Sequence, residues 1–195
     1  MTTIREAKNA LRKAVEAKIA SLTSEEKLRQ SKIVYEKLVN LKVFQSSKRV
    51  SIFLSTTNEI DTEPMVRKIF EMGKACFVPR YSKAGMQMVK LQSMDDWQNL
   101  PVTKWNIKQP LLKEQREDAL ETGGLDLIIT PAVALTKSGH RLGHGGGYYD
   151  KYIENLKNTQ TNLPTTVAVA LKEQIVEEIP TTSTDMLMDV VLFAE

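Results

Sequence analysis

A single cysteine, Cys76, leaves no partner for an intramolecular disulfide and no set of thiolates for a metal site. It fits a reducing compartment, so a cytoplasmic location is expected. No apolar run approaches the roughly 20 residues that a membrane span needs. The N-terminal stretch MTTIREAKNALRK has no apolar core and carries Glu6, so neither a secretory signal nor a transit peptide is expected. Charge of one sign is also missing. Lys and Arg number 27 against 24 Asp and Glu, a formal net charge of +3, and both signs are spread along the chain. That balance permits an anionic small ligand but is no nucleic-acid footprint, and membranes and nucleic acids are not expected partners. Histidine and glycine are scarce, with two and nine copies, and their placement is therefore informative. Both histidines and five of the nine glycines fall in residues 139–147, GHRLGHGGG, directly before YYDKY.

The rest of the chain alternates in kind. Ile4, Ala7, Leu11, Ala14 or Val15, and Ile19 step by three and four, the apolar stripe of an amphipathic helix. LTSEEKLRQSKIVYEKLVNL reads as a second helix, with Thr23 as its cap and Glu26 completing a capping box. KRVSIFLS is a buried strand, TEPMVRKIFEMGK a helix with Pro64 in its first turn and Gly73 at its end, and ACFVPRY the next strand. Strand, helix and strand in that order form a βαβ unit with parallel strands. MQMVKLQS reads as a short edge strand, and residues 95–122 as a long loop without periodicity. LDLIITPAVALT reads as the central strand and YYDKYIENLKN as a helix. TTVAVAL, a short KEQIVEEI helix and MDVVLFA close the pattern. At 195 residues the expected fold is α/β: a single domain spanning 1–195, three-layer α/β/α, with a mostly parallel, Rossmann-like sheet and the N-terminal helical pair packed on it.

In such a sheet, ligands sit beyond the carboxyl ends of the strands. Residues 137–148 are expected there, leading into a helix. Glycines allow positive φ and close approach of N–H groups to a phosphate, and the helix N-terminus adds partial positive charge. Arg141 and His144 can add donors, and Asp150 can hold Mg²⁺ through hard oxygen. The stretch is not a Walker A loop, since no Gly-Lys-Ser/Thr follows, and it lacks the acidic partner of a dinucleotide fingerprint. The same glycines would also serve a plain connecting turn. Lys8 and Arg12, an i, i+4 pair, can clamp a polyphosphate or form a solvated basic face. His140 and His144 share that spacing, but they sit in a glycine loop with no acid between them and no evident third ligand, which argues against zinc. Glu59 falls after the first strand, where it can accept bonds from a ligand. Trp105, Tyr148 and Tyr149 can stack on a planar ring, and Met86 and Met88 can line an apolar wall or fill the core.

AKNALRK, SIFLSTTNEIDT, CFVPRY, WNI, GGLDLIITP, GHRLGHGGGYYDKY and LKEQI, in this order, resemble the 5-formyltetrahydrofolate cyclo-ligase family from about Ala7 to Val191. The resemblance implies a monomeric enzyme with small-molecule substrates. It would use Mg²⁺ and ATP to phosphorylate the formyl oxygen of 5-formyltetrahydrofolate. Attack by N10 would then give 5,10-methenyltetrahydrofolate, ADP and phosphate. It implies ATP contacts at Lys8, Asn9, Ala10, Leu11 and Arg12, and again at Arg141, Leu142, Gly143, His144, Gly145, Gly146, Gly147, Tyr148 and Tyr149. It implies catalytic roles for Arg141, Asp150 and Lys8, and metal ligation by Asp150 and Asp185. Folate contacts are implied at Leu54, Glu59, Met86, Trp105, Tyr148 and the loop from His144 to Gly147. His144 stands where the family often carries arginine or tyrosine, and Gly146 where some members carry lysine, so this loop is short of phosphate donors.

Overall fold

A computed structural model describes residues 3–195; Met1 and Thr2 lie outside the described residues. The first helix, α1 (Ile4–Ala20), begins with a reciprocal capping box between Thr3 and Glu6 and buries Val15 and Ile19. In α2 (Ser24–Val39), Thr23 caps the Glu26 amide at 3.1 Å, but the box expected there is only half formed. The Glu26 carboxylate turns instead to Arg29, at 2.7 Å, and to Gln30, at 2.9 Å. A short helix α3 (Lys42–Ser46), with no signal in the periodicity, leads into β1 (Arg49–Ile52). Then come α4 (Glu63–Glu71), β2 (Ala75–Ser82), β3 (Gly85–Leu91) and α5 (Met94–Asn99). β4 (Leu127–Thr130), β5 (Ala134–Leu135), β6 (Arg141–Leu142), α6 (Tyr148–Thr159), β7 (Thr165–Ala170) and β8 (Val190–Phe193) complete the chain.

Six strands form one sheet in the order β3-β2-β1-β4-β7-β8, parallel except for β3, which pairs antiparallel with β2 at the edge. The expected mostly parallel sheet with helices on both sides is therefore present. The crossover from β1 through α4 to β2 runs one way along the sheet, and that from β4 through α6 to β7 runs the other way. Right-handed crossovers then put α4 and α6 on opposite faces. The order reverses between β1 and β4, and the crevice beyond their carboxyl ends is where an open sheet binds ligands. All four residues of β4 are buried, as expected of a parallel strand covered on both faces.

Three expectations are corrected. LDLIITPAVALT is two strands: Pro131, which has no N–H to give a ladder, ends β4 at Thr130. The chain then turns into a small hairpin of β5 and β6, so the glycine stretch follows the hairpin and not β4 itself. KEQIVEEI makes only a 3₁₀ turn at Lys172–Gln174, because the next residues are drawn into strand pairing: Val176 N–H donates to Leu135 O at 2.8 Å. Residues 95–122 are not structureless. They contain most of α5, and Arg116 holds them with a forked pair to Asp96 (2.6 and 2.7 Å) and a bond to Lys90 O at 3.0 Å.

The returning arm of that excursion is clasped at Glu117. Its carboxylate accepts from Lys90 (2.7 Å), Thr122 (2.9 Å) and Arg49 (3.3 Å). These bonds, that from Lys90 above all, bring its pKa from the ordinary 4.5 down to about 2. A depressed carboxylate contributes stability that is present above its unfolded value and lost as pH falls through its folded one. Glu117→Gln is accordingly expected to lower the urea midpoint at neutral pH, with the difference from wild type closing between about 4.5 and about 2. A difference independent of pH would contradict this account.

Candidate active site

The glycine stretch is a loop between β6 and α6, and its conformation explains its composition. Gly145 has φ +111° and Gly147 φ +65°. Gly147 is the N-cap of α6 and supplies no side-chain bond to the first-turn amides. The opening N–H groups of α6 thus have no side-chain cap at the place where the macrodipole favours an anion.

One cationic side chain of α1, Arg12, comes down on this loop, and a second, Lys8, meets the segment before β8. Arg12 donates from Nε to Gly143 O at 2.8 Å and from Nη1 to Asn9 Oδ1 at 2.7 Å. A methyl group on Gly145 would lie 3.7 Å from the Arg12 guanidinium carbon, so the loop backbone passes close under that side chain. Lys8, one turn earlier, points to Asp185 and donates to both of its carboxylate oxygens, at 2.9 and 2.6 Å. Asp185 also accepts from the Thr182 amide and hydroxyl. Burial pushes the Asp185 pKa up, but the bonds from Lys8 and Thr182 outweigh it and hold the carboxyl below the usual range. Leu11 turns away into the core, and Ala10 lies exposed.

Beneath the loop lies Arg141, buried with its guanidinium 5.3 Å from the Tyr149 ring centroid. Nη1 donates to Pro131 O and Nη2 to Asp150 Oδ2, each at 3.2 Å, while Nε has no partner. The other Asp150 oxygen accepts from the Met186 amide at 3.0 Å. Arg141 therefore links the end of β4 to the first turn of α6, and Asp150 links that turn to the segment before β8.

An aromatic wall flanks the loop on the β2–β3 side. Tyr81 meets Tyr148 edge to face, with centroids 5.1 Å apart, and Met86 stands opposite Tyr81 in the hairpin. Burial raises the Tyr81 pKa to about 12 and that of Tyr149 well above the ordinary value, so both phenols stay protonated across the physiological range. The charges of Glu59 and Arg141 act on both. Glu59 folds one oxygen back onto Thr56, accepting from its amide at 2.8 Å and its hydroxyl at 3.0 Å. Leu54, just past β1, borders a cavity of about 280 Å³ shared with Asp61, Trp97, Val102 and Lys108.

With this geometry established, comparison with known proteins is decisive. The model of the 5-formyltetrahydrofolate cyclo-ligase family matches residues 4–194. The chain belongs to that family. It is 44% identical to the mouse 5-formyltetrahydrofolate cyclo-ligase, covering 99% of this chain and 96% of the mouse protein. The solved 5,10-methenyltetrahydrofolate synthetase of Aquifex aeolicus superposes with a TM-score of 0.76 at 29% identity, covering 95% of this chain and 88% of that one. The synthetase of Mycoplasma pneumoniae, at 20% identity and a TM-score of 0.73, covers 96% and 99% and shares the fold.

Of the residues singled out from the sequence, this cyclo-ligase chain brings Lys8, Arg12, Arg141, Asp150, Asp185 and the 143–147 loop into one cluster. Tyr148, Tyr149, Met86 and Glu59 stand beside it. Leu142 is buried in the core, and His144 is exposed on the loop. Trp105 is not brought in. It is 67% exposed, with the Lys104 ammonium 4.7 Å from its ring centroid, and it does not line the cavity that its neighbours Val102 and Asn106 reach. Asp189, which follows Asp185 by four residues and is the other carboxylate near β8, is engaged with Thr166, accepting from its amide and hydroxyl. Among the described residues, no group of three His, Cys, Asp or Glu side chains converges as a metal cage, and His140 and His144 do not form one. Also among the described residues, no helix is long and apolar enough to cross a membrane. Tyr81 is the residue that sequence reading passed over; its signal was its place at the end of a strand in the βαβ unit, in CFVPRY.

Proposed function

We propose that the chain closes 5-formyltetrahydrofolate to 5,10-methenyltetrahydrofolate at the expense of ATP, as one cyclo-ligase domain spanning 1–195. The carrying observation is that Arg12 and Arg141 meet at a glycine loop that opens α6, beside an aromatic wall, with Lys8 one turn along α1 from Arg12 and held by Asp185. The formyl oxygen on N5 attacks the γ-phosphorus, and ADP leaves. N10 then adds to the activated carbon and gives up its proton, and the C–O bond breaks to release phosphate and the N5–C–N10 cation. An amide oxygen is a poor leaving group and phosphate a good one, so the work left to the protein is positioning and charge neutralisation. Lys8, Arg12 and the 143–147 amides hold the triphosphate, and Arg141 faces the transferring phosphoryl group. Tyr148, Tyr81, Met86 and Leu54 hold the folate ring system, and the second Glu59 oxygen accepts its N–H groups.

Asp150 suits a hard divalent cation. Each of its oxygens receives one donor and keeps a lone pair. Asp185 suits it less, since Lys8 and Thr182 donate to it four times. Mg²⁺ at Asp150 would neutralise phosphate charge. The buried Cys76, its thiol pKa pushed up by burial, is unreactive and compatible with a reducing cytoplasm.

Mixing the protein with Mg²⁺-ATP and 5-formyltetrahydrofolate is expected to produce the methenyl chromophore; none, from folded protein, would overturn the reading. Asp150→Asn is expected to lower turnover by about 10² or more while folate affinity, read by fluorescence titration, stays within a few fold. Undiminished turnover would remove Asp150 from the mechanism.

A further inference from the structure

Residues 181–188 run without regular structure from the region of the 3₁₀ turn to β8. Thr181 to Thr184 are exposed, and the chain comes inward at Asp185. At its far end the segment is fixed, with Met188 N–H donating to Gly139 O at 2.9 Å. Two of its inward polar contacts go to groups of the proposed phosphate site. Asp185 takes the Lys8 ammonium on both oxygens, and the Met186 amide donates to Asp150. The Lys8 and Asp185 side chains are only 15% and 19% exposed. Two of the three ammonium donors are therefore directed at a carboxylate that belongs to the protein itself.

We propose that Asp185 is a place-holding anion, occupying Lys8 until the triphosphate of ATP displaces it, so that nucleotide binding is coupled to release of residues 181–186. This rests on the ATP reading of the site. A triphosphate arriving at Lys8 brings negative charge against the Asp185 carboxylate, and without a divalent cation between them the two repel. The ammonium then exchanges one anion for the other. Apparent affinity is the intrinsic affinity multiplied by the fraction of molecules in which Lys8 is free. A half-buried ion pair of this kind lowers that fraction about fivefold. Asp185 thus acts through Lys8. It keeps the lysine ammonium fixed in one place when the nucleotide is absent, and it penalises anions too weakly charged to replace a carboxylate. Asparagine at the same position retains an acceptor for the Thr182 amide but loses the ion pair.

The test is calorimetric titration of ATP in excess EDTA, so that no metal-ligand role contributes. Asp185→Asn is expected to bind about fivefold more tightly than wild type, and the gain is expected to vanish when the same change is made in a Lys8→Met protein. Equal or weaker binding by Asp185→Asn overturns the proposal, as does a gain that survives without Lys8. A second measurement needs no variant. Metal-free ATP is expected to speed hydrogen exchange at the Thr182 and Met186 amides of the wild type, and slower or unchanged exchange there also overturns it. Wild type that binds no ATP under any condition is a different result, and it removes the ATP reading itself.

Discussion

Arg141→Lys is expected to reduce turnover by about 10² to 10³ while leaving the chain folded. The guanidinium is buried and spans two elements, with one nitrogen on Pro131 O at the end of β4 and another on Asp150 in the first turn of α6. A planar fork can hold both partners and still face a phosphoryl group through a remaining N–H, and its Nε has no other partner. Lysine keeps the positive charge opposite Asp150, so the partly buried carboxylate is not left uncompensated. It cannot keep the second bond or the planar face against Tyr149. Losing one preorganised donor to developing charge typically costs 10² to 10³ in kcat. Steady-state kinetics at saturating folate and ATP, with thermal unfolding as the control for folding, reads the effect. A lysine variant with wild-type kcat would take Arg141 out of the phosphoryl-transfer step.

The second large effect is structural. Gly139→Ala is expected to cost about 3 kcal/mol or more of stability, which for a chain of this size lowers Tm by roughly 6 °C or more. Gly139 has φ +98°, and a methyl group there would lie 2.5 Å from the Met188 carbonyl oxygen, with other Met188 backbone atoms at 3.5 Å. No side chain can yield, because the obstacle is backbone, held in place by the Met188 amide on Gly139 O. Gly85→Ala is the control. It also sits at positive φ, +132°, but nothing lies within 4 Å of the added carbon. Backbone strain alone should then cost about 1–2 kcal/mol. Equal urea midpoints for the two variants would mean that the contact at Met188 relaxes freely.

Legibility followed periodicity. The helices α1, α2, α4 and α6 and the strands β1, β2, β7 and β8 were readable because each repeats apolar residues at its own spacing or as one continuous run. The β5–β6 hairpin was not, since strands of two residues have no period, and Pro131 sat unheeded inside an apolar run. The KEQIVEEI segment has helical composition, and pairing of Val176 with Leu135 overrode it. At the site, Gly145 and Gly147 were readable because positive φ leaves glycine as the easy choice. Arg12 and Arg141 were readable as cations near such a loop. What stayed hidden was pairing at long range. The sequence presents Lys8 and Arg141 as free cations, whereas the folded chain supplies each with a carboxylate, Asp185 and Asp150. Trp105 looked like a ring-stacking residue by type, and its position on the outside of the excursion is a tertiary fact that no local pattern carries.

Lys8 and Asp185 are separated by 177 residues. During synthesis, a chain grows at about 5–20 residues per second, and its early parts begin to fold as they emerge. Here α1 is made long before the segment that carries Asp185. The glycine loop, Arg141 and α6 can all be in place while Lys8 still has no carboxylate beside it. β8 follows that segment and adds to the edge of the sheet, pairing with β7. Until the segment carrying Asp185 has emerged, the cluster has its basic residues but not the strap across them.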